Sequence, residues 1–200
     1  MIGLIDYGLG NIMSFSNILK NFNIKYIIPK SVIDIEKCEK FILPGVGSFD
    51  EAVKKLKSKD FFLSLENEIL YKNKKILGIC VGMQIFLNKS EEGNNPGLGW
   101  IEGEVKKFSD KNFRTPHMGW NSLQIIKKNK FLDNLSKSEF YFLHSYFCIL
   151  KNIDNVLTKT TYSTNFCSSF ISNNIYGVQF HPEKSFFQGQ KILKNFIDLC

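Results

Sequence analysis

Apolar positions along this chain follow two rhythms. Up to about residue 87, short apolar runs alternate with segments whose apolar residues return every three or four positions. "IGLID" (residues 2–6), "IKYII" (24–28) and "KFIL" (40–43) have the form of buried strands, and the second stops at Pro29. Residues 12–22 and 60–71 carry helical spacing, and another helix is expected to open near Ser48. Strands alternating with helices predict a parallel sheet, whose ligands gather at the carboxyl ends of its strands. After "EEGNNPGLG" (91–99) the pattern changes to short strands and turns: 103–108, 121–126, 139–147, 156–162, 168–171 and 175–180, with a closing helix over 188–199. No internal repeat or linker interrupts residues 1–200, so a single α/β domain is expected.

Composition adds exclusions. With 44% hydrophobic and 22% charged residues the chain is ordinary for a globular protein, and no apolar run reaches membrane-spanning length. The opening "MIGLIDYG" enters a strand with no basic leader, which predicts a cytoplasmic protein with no membrane partner. The formal charge of +7 raises the question of nucleic acid, but only Arg114 among the 26 basic residues is an arginine. The lysines are scattered, as in "YKNKK", so no nucleic-acid partner is expected. The five cysteines are odd in number and share no framework spacing, and no CxxC or His/Cys cluster suggests a metal. Reduced thiols, no metal and no cofactor are the expectation.

The candidate chemistry begins at "ILGICVGMQIF" (76–86), where an apolar strand meets a helix expected over 81–87. Gly78-Ile79-Cys80-Val81-Gly82 has the form of a nucleophile elbow, with glycines flanking a strained strand-to-helix turn. A buried core cysteine is the alternative on this stretch alone. A thiol attacking an amide needs a base. His117, in the Pro/Gly-broken "TPHMGWN", is expected to be a loop histidine. His144, in "FYFLHSYF", alternates onto one face with Phe140, Phe142 and Tyr146 and suits a satisfied sheet position. His181 ends the run "YGVQF", and Pro182 keeps it extended so that Glu183 can orient its imidazole. "HPE" alone would equally fit a surface turn. "LPGVG" (43–47) offers backbone N–H groups to an oxyanion, or is an ordinary turn, and the Val81 amide behind Cys80 would be a second donor.

"IDYGLGN", "LPGVGSF", "LGICVGMQ", "SEEG", "PHMGWN", "FYFLHSY" and "GVQFHPEKS" together span Ile5 to Ser185. In identity and order they resemble the triad glutamine amidotransferases, and within them the glutaminase subunits of imidazole glycerol phosphate synthases. The resemblance implies a flavodoxin-like, mostly parallel sheet flanked by helices, with an additional antiparallel strand region. It implies Cys80, His181 and Glu183 as a catalytic triad and L-glutamine as substrate. Gln84 and Glu92 would hold that glutamine, with Gly45, Gly47, Ser145 and Tyr146 around it. The backbone at Val46 would complete the oxyanion hole only when a partner is loaded. That partner would be a (β/α)8-barrel synthase forming a heterodimer through Trp120, Tyr141 and Lys184 and receiving ammonia for histidine biosynthesis. Two stretches depart from the family: "YSTNFCSSF" (162–170) stands where Tyr-Gly and small alanines are expected, and "VGM" replaces "LGM". Some relatives serve a sugar-amidinating enzyme of surface-polysaccharide synthesis, which is the competing role. A stress-response module with an elbow cysteine would leave "HPE" and "PGVG" unexplained, and an RNA-binding protein would need clustered arginines.

Overall fold

Four strands, β1 (Ile2–Leu4), β2 (Tyr26–Ile27), β3 (Lys40–Gly45) and β4 (Lys75–Cys80), alternate with helices α1 (Ile12–Asn21), α2 (Val32–Glu36), α3 (Phe49–Lys57) and α4 (Phe62–Leu70). The short helix α5 (Val81–Gln84) follows β4 directly. Then come β5 (Lys89–Ser90), β6 (Gly103–Lys107), β7 (His117–Ser122), β8 (Gln124–Ile125), β9 (Glu139–His144) and β10 (Tyr146–Leu150). The chain closes with β11 (Val156–Thr161), β12 (Asn165–Ser172), β13 (Ile175–Val178) and α6 (Phe186–Leu199). The structure is a computed structural model and describes residues 1–135 and 139–200.

The strands β2-β1-β3-β4-β13 lie side by side, all parallel. This is the flavodoxin-like order, which opens a crevice at the carboxyl ends of the strands. Every residue of β3 and β4 after the first is buried, as expected for strands covered on both faces. Helix α3 buries Phe49, Ala52, Val53 and Leu56, a three-and-four spacing, and sets Asp50 and Glu51 in its first turn against Lys54, Lys55 and Lys57 in its last. Lys40 ties α6 to the sheet, its Nζ donating to the carbonyl oxygens of Phe196, Ile197 and Cys200 at 3.2, 2.6 and 2.6 Å. Beyond β13 the sheet becomes antiparallel through β12, β10 and β6. A separate two-stranded sheet, β7 against β9, lies over it.

Three expectations are corrected. The strand expected over 139–147 breaks at Ser145, whose carbonyl accepts from Phe108 N–H, so β9 enters the small sheet and β10 the large one. The helix expected over 81–87 ends at Gln84 because the incoming chain takes its last carbonyls. Leu98, Ile101 and Gly99 donate to Ile85, Phe86 and Leu87 oxygens. His117 is not in a loop: it starts β7, is buried, and pairs in register with His144. The alternation of β7 is hidden in the sequence because its inward positions are His117, Gly119 and Asn121 rather than apolar residues. Among the described residues no helix is long and apolar enough to cross a membrane.

Candidate active site

Cys80 sits where β4 turns into α5, with φ 54° and ψ −113°, a left-handed conformation unusual for a residue with a side chain. Such a backbone costs about 1–3 kcal/mol and persists only where the surroundings over-determine it. They do so here by close contact. A Cβ at Gly82 would overlap the Leu43 carbonyl oxygen, and one at Gly78 would overlap the Gly82 carbonyl. The turn therefore packs onto β3 with no room for side chains, and presents Sγ to the crevice.

His181 continues from β13 in an extended conformation, φ −98° and ψ 98°, and its N–H donates to Tyr141 O at 2.9 Å. Ser185 Oγ closes the same corner, accepting from Tyr141 N–H at 3.0 Å and donating to His181 O at 2.6 Å. A single 3-10 turn over Pro182–Lys184 swings Glu183 round so that its Oε1 lies 2.9 Å from His181 Nδ1. Burial disfavours the imidazolium, but the adjacent Cys80 thiolate and the Glu183 carboxylate outweigh it and raise the His181 pKa to about 10. The imidazole thus favours its protonated form at neutral pH, with Cys80 on one side and Glu183 on the other.

Cys80 and His181 open on a cavity of about 260 Å³ lined also by Val46, Gly47, Val81, Gln84, Glu92, Ser145, Tyr146 and Lys184. Sequence reasoning had singled out each of these, several only through the family resemblance, but Pro116, Leu143 and His144 line the cavity too and had not been placed at the site. Gly47, at φ +89°, takes a backbone conformation that favours glycine, beside the half-exposed Val46. Gly45 is the exception: it is buried against the Gly82 backbone and the Tyr7 hydroxyl and does not line the cavity. Glu92 accepts from Phe49 N–H at 2.8 Å; burial raises its pKa against that hydrogen bond, and Asp50 adds to the rise. Gln84 spends both Nε2 hydrogens within the protein, on Tyr146 O and Gln179 Oε1, each at 2.9 Å. Its Oε1 is left for a ligand's donor. Among the described residues no group of three or more His, Cys, Asp or Glu side chains is placed to hold a metal.

Trp120 and Tyr141 are cross-strand neighbours on the outer face of the β7–β9 sheet, and Lys184 Nζ lies 5.5 Å from the Tyr141 ring centre. Sequence reasoning missed Phe186, which stacks on Trp120 at 5.2 Å and is 75% exposed. The signal was available: adjacent aromatics in "SFFQG" at a helix start cannot both face a core. It also missed Gln179, whose Nε2 lies 3.6 Å from Cys80 Sγ. A glutamine inside the apolar run "YGVQF" of a strand buried on both sides was the sign of it.

The family model for Glutamine amidotransferase class-I matches residues 4–199. The chain belongs to the class-I glutamine amidotransferase family. Like other members, it is a glutamine-hydrolysing enzyme. It is 45% identical, over the full length of both chains, to the imidazole glycerol phosphate synthase subunit HisH of Leptospira borgpetersenii. It is also 45% identical to the imidazole glycerol phosphate synthase subunit HisH 2 of Methanococcus maripaludis, over 98% of each chain. The amidotransferase fold extends to distant structures: PurLQS from Thermotoga maritima superimposes with a TM-score of 0.73 at 18% identity, over 98% of this chain and 97% of that one.

Proposed function

We propose that this chain is the glutaminase subunit of an imidazole glycerol phosphate synthase, working as one domain over residues 1–200 in the cytoplasm. The observation that carries the chemistry is the strained Cys80 facing the His181–Glu183 pair across one cavity. The Cys80 thiolate attacks the side-chain amide carbon of L-glutamine. Backbone N–H groups at Val46 and Val81 take the charge that collects on the amide oxygen. His181 gives its proton to the departing nitrogen, so ammonia leaves and a thioester remains. Water then attacks the thioester, His181 taking its proton, and glutamate leaves as the thiolate re-forms. Glu183 holds the imidazole in one orientation and stabilises its charged form. Gln84, Glu92, Gly47, Ser145 and Tyr146 surround the substrate, with no cofactor.

Ammonia passes to a synthase subunit, a (β/α)8 barrel docked as a heterodimer against Trp120, Tyr141 and Lys184, for histidine biosynthesis. The names carried by the relatives support this acceptor over a sugar-amidinating enzyme. The Val46 peptide between two glycines provides a gate, since one orientation offers its N–H to the oxyanion and the other withholds it. Losing one such donor costs about 10²–10³ in rate. The test is glutamate production by the free chain, by the complex, and by the complex with an acceptor analogue. A low rate that rises at each step is expected. Full activity in the free chain would refute the gate, and activation by a sugar-amidinating partner alone would overturn the acceptor.

A further inference from the structure

Along one wall of the cavity and behind it, Gln179, Gln84, His144, His117 and Asn121 form one connected series. The Tyr146 carbonyl can only accept, so His144 Nδ1, 2.8 Å away, carries a proton. Burial pushes the pKa of His144 down to about 3 and that of His117 to about 4, so both rings are neutral. His144 Nε2 is therefore bare and accepts from His117 Nδ1 at 3.0 Å. His117 Nε2 accepts in turn from Asn121 Nδ2 at 3.3 Å. The Asn121 amide has one possible orientation, since its Nδ2 also donates to Thr161 O and its Oδ1 accepts from Ser122 N–H. From the other side of the Tyr146 carbonyl, Gln84 Nε2 donates to that oxygen and to Gln179 Oε1. The Gln179 Nε2 is thereby turned towards Cys80 Sγ, at 3.6 Å. Every amide orientation and both tautomers follow from the series itself. No proton travels along it, because His144 and Gln84 both donate to the same carbonyl; its effect is positional.

We infer that Gln179 is a positioning residue for the nucleophile, donating to Cys80 Sγ, and that the His117–His144 pair holds this donor in place through the Tyr146 carbonyl and Gln84. The inference rests on the assignment of Cys80 as nucleophile. The sulfur has two neighbours that suit its two states. As a thiol it can donate to Leu143 O, 3.8 Å away, and as a thiolate it can accept from Gln179. Gln179 is fully buried and does not line the cavity, so it can act on the sulfur without touching a substrate in that cavity. Neutral histidines fit the arrangement, because a second buried cation beside His181 would compete for the thiolate.

The test uses the complex with the synthase subunit for kinetics and the full chain for the rate of Cys80 alkylation by iodoacetamide as a function of pH. In Gln179→Leu the alkylation profile is expected to move to higher pH and kcat to fall about tenfold, as for loss of a hydrogen bond to a charged group. kcat should fall more than KM rises, since Gln179 meets Cys80 directly but reaches glutamine only through Gln84. Gln179→Met is the second variant should Leu not fold. His117→Phe keeps the stack on Tyr162 and Phe142 but removes the donor to His144. It is expected to shift the same profile in the same direction, lowering the rate about threefold. His117→Gln, which can still donate, should restore it. In the double variant the two losses should not multiply, because they act through one series. An alkylation profile and kcat unchanged in both Gln179 variants would overturn the role of Gln179. Losses that multiply in the double variant would overturn the link to His117. Glutaminase activity that survives Cys80→Ala would refute the nucleophile assignment instead, a distinct result.

Discussion

The parallel half of the large sheet and the antiparallel half, taken with the small β7–β9 sheet, secure their active-site groups by different means. In the parallel half, β3 and β4 bury unbroken apolar runs, and the Cys80 main chain is held by backbone contact: a positive φ, with Gly82 pressed against Leu43 and Gly78 against Gly82. In the antiparallel half, buried positions are often polar. Thr158 Oγ1 meets Ser168 Oγ at 2.9 Å and Ser169 Oγ at 2.7 Å, and in the small β7–β9 sheet His117 meets His144 within an aromatic cluster that includes Phe108, Phe142 and Phe166. A group held by backbone contact is sensitive to added atoms, whereas one held by side-chain hydrogen bonds is sensitive to lost donors. The cavity lies between the two, taking its sulfur from the first half and Ser145 and Tyr146 from the second.

The largest effect is expected at the backbone-held sulfur. Cys80→Ala should abolish glutamine hydrolysis while the chain still binds its synthase partner. An electrophilic glutamine analogue should label Cys80 and none of the other four cysteines, three of which are buried. Mass spectrometry showing label elsewhere would break the assignment.

His181→Ala is expected to cost about 10²–10⁴-fold in kcat, the usual range for general acid–base work. Glu183→Gln should cost less, and its effect should depend on pH. The His181 pKa is raised from 6.5 to about 10, in part by Glu183, so the stability this gives is complete below pH 6.5 and lost as pH climbs through about 10. Glu183→Gln lowers the folded-state pKa, so the stability gap to the parent should be widest below pH 6.5 and should close by about pH 10. Thermal melts of the free chain across that window would read it. A gap that widens with pH would contradict the ion-pair geometry.

Matched truncations sharpen the contrast further. Phe41 in β3 and Phe142 in β9 are both fully buried, and each change to Ala should cost about 3–5 kcal/mol by urea unfolding. Their effects on chemistry should differ. Phe142 stacks on His117 with ring centres 4.9 Å apart, so Phe142→Ala should slow Cys80 alkylation. Phe41→Ala should leave it unchanged. Equal slowing in both would remove the distinction between the halves.

The same contrast explains what was legible in the sequence. Backbone devices leave local signatures: glycines at fixed offsets from Cys80, a proline after His181, apolar runs for β3 and β4. These disclosed the parallel sheet, the triad candidates and the Val46–Gly47 turn, whereas Gln84, Glu92, Ser145, Tyr146 and Lys184 were legible only through the family resemblance. The side-chain devices depend on register across the chain. That His117 faces His144, 27 residues away, follows from the pairing of β7 with β9 and from no local pattern. Gln179 likewise gains its meaning only where β13 lies beside β4. The break at Ser145 was hidden because the alternation of "FYFLHSYF" continues across it while the strand changes sheets.

The smallest effect belongs to the outer face of the β7–β9 sheet. Lys184 is exposed, and its ammonium lies over the Tyr141 ring, a contact worth about 0.5–1 kcal/mol at such a site. Lys184→Met keeps the length of the side chain and removes the charge. In the free chain this should change stability by at most about 1 kcal/mol and leave the iodoacetamide profile of Cys80 where it was, because the sulfur is fixed by β4 and by Gln179. Any larger consequence should appear only when the synthase is added, as weaker binding by titration calorimetry with a smaller gain in glutaminase rate. Lys184 also borders the cavity, so a rise in the KM for glutamine in the free chain would instead make it a substrate contact. If binding and KM both stay fixed, Lys184 belongs to a solvated surface, and the docking face narrows to Trp120, Tyr141 and the Phe186 ring stacked on it.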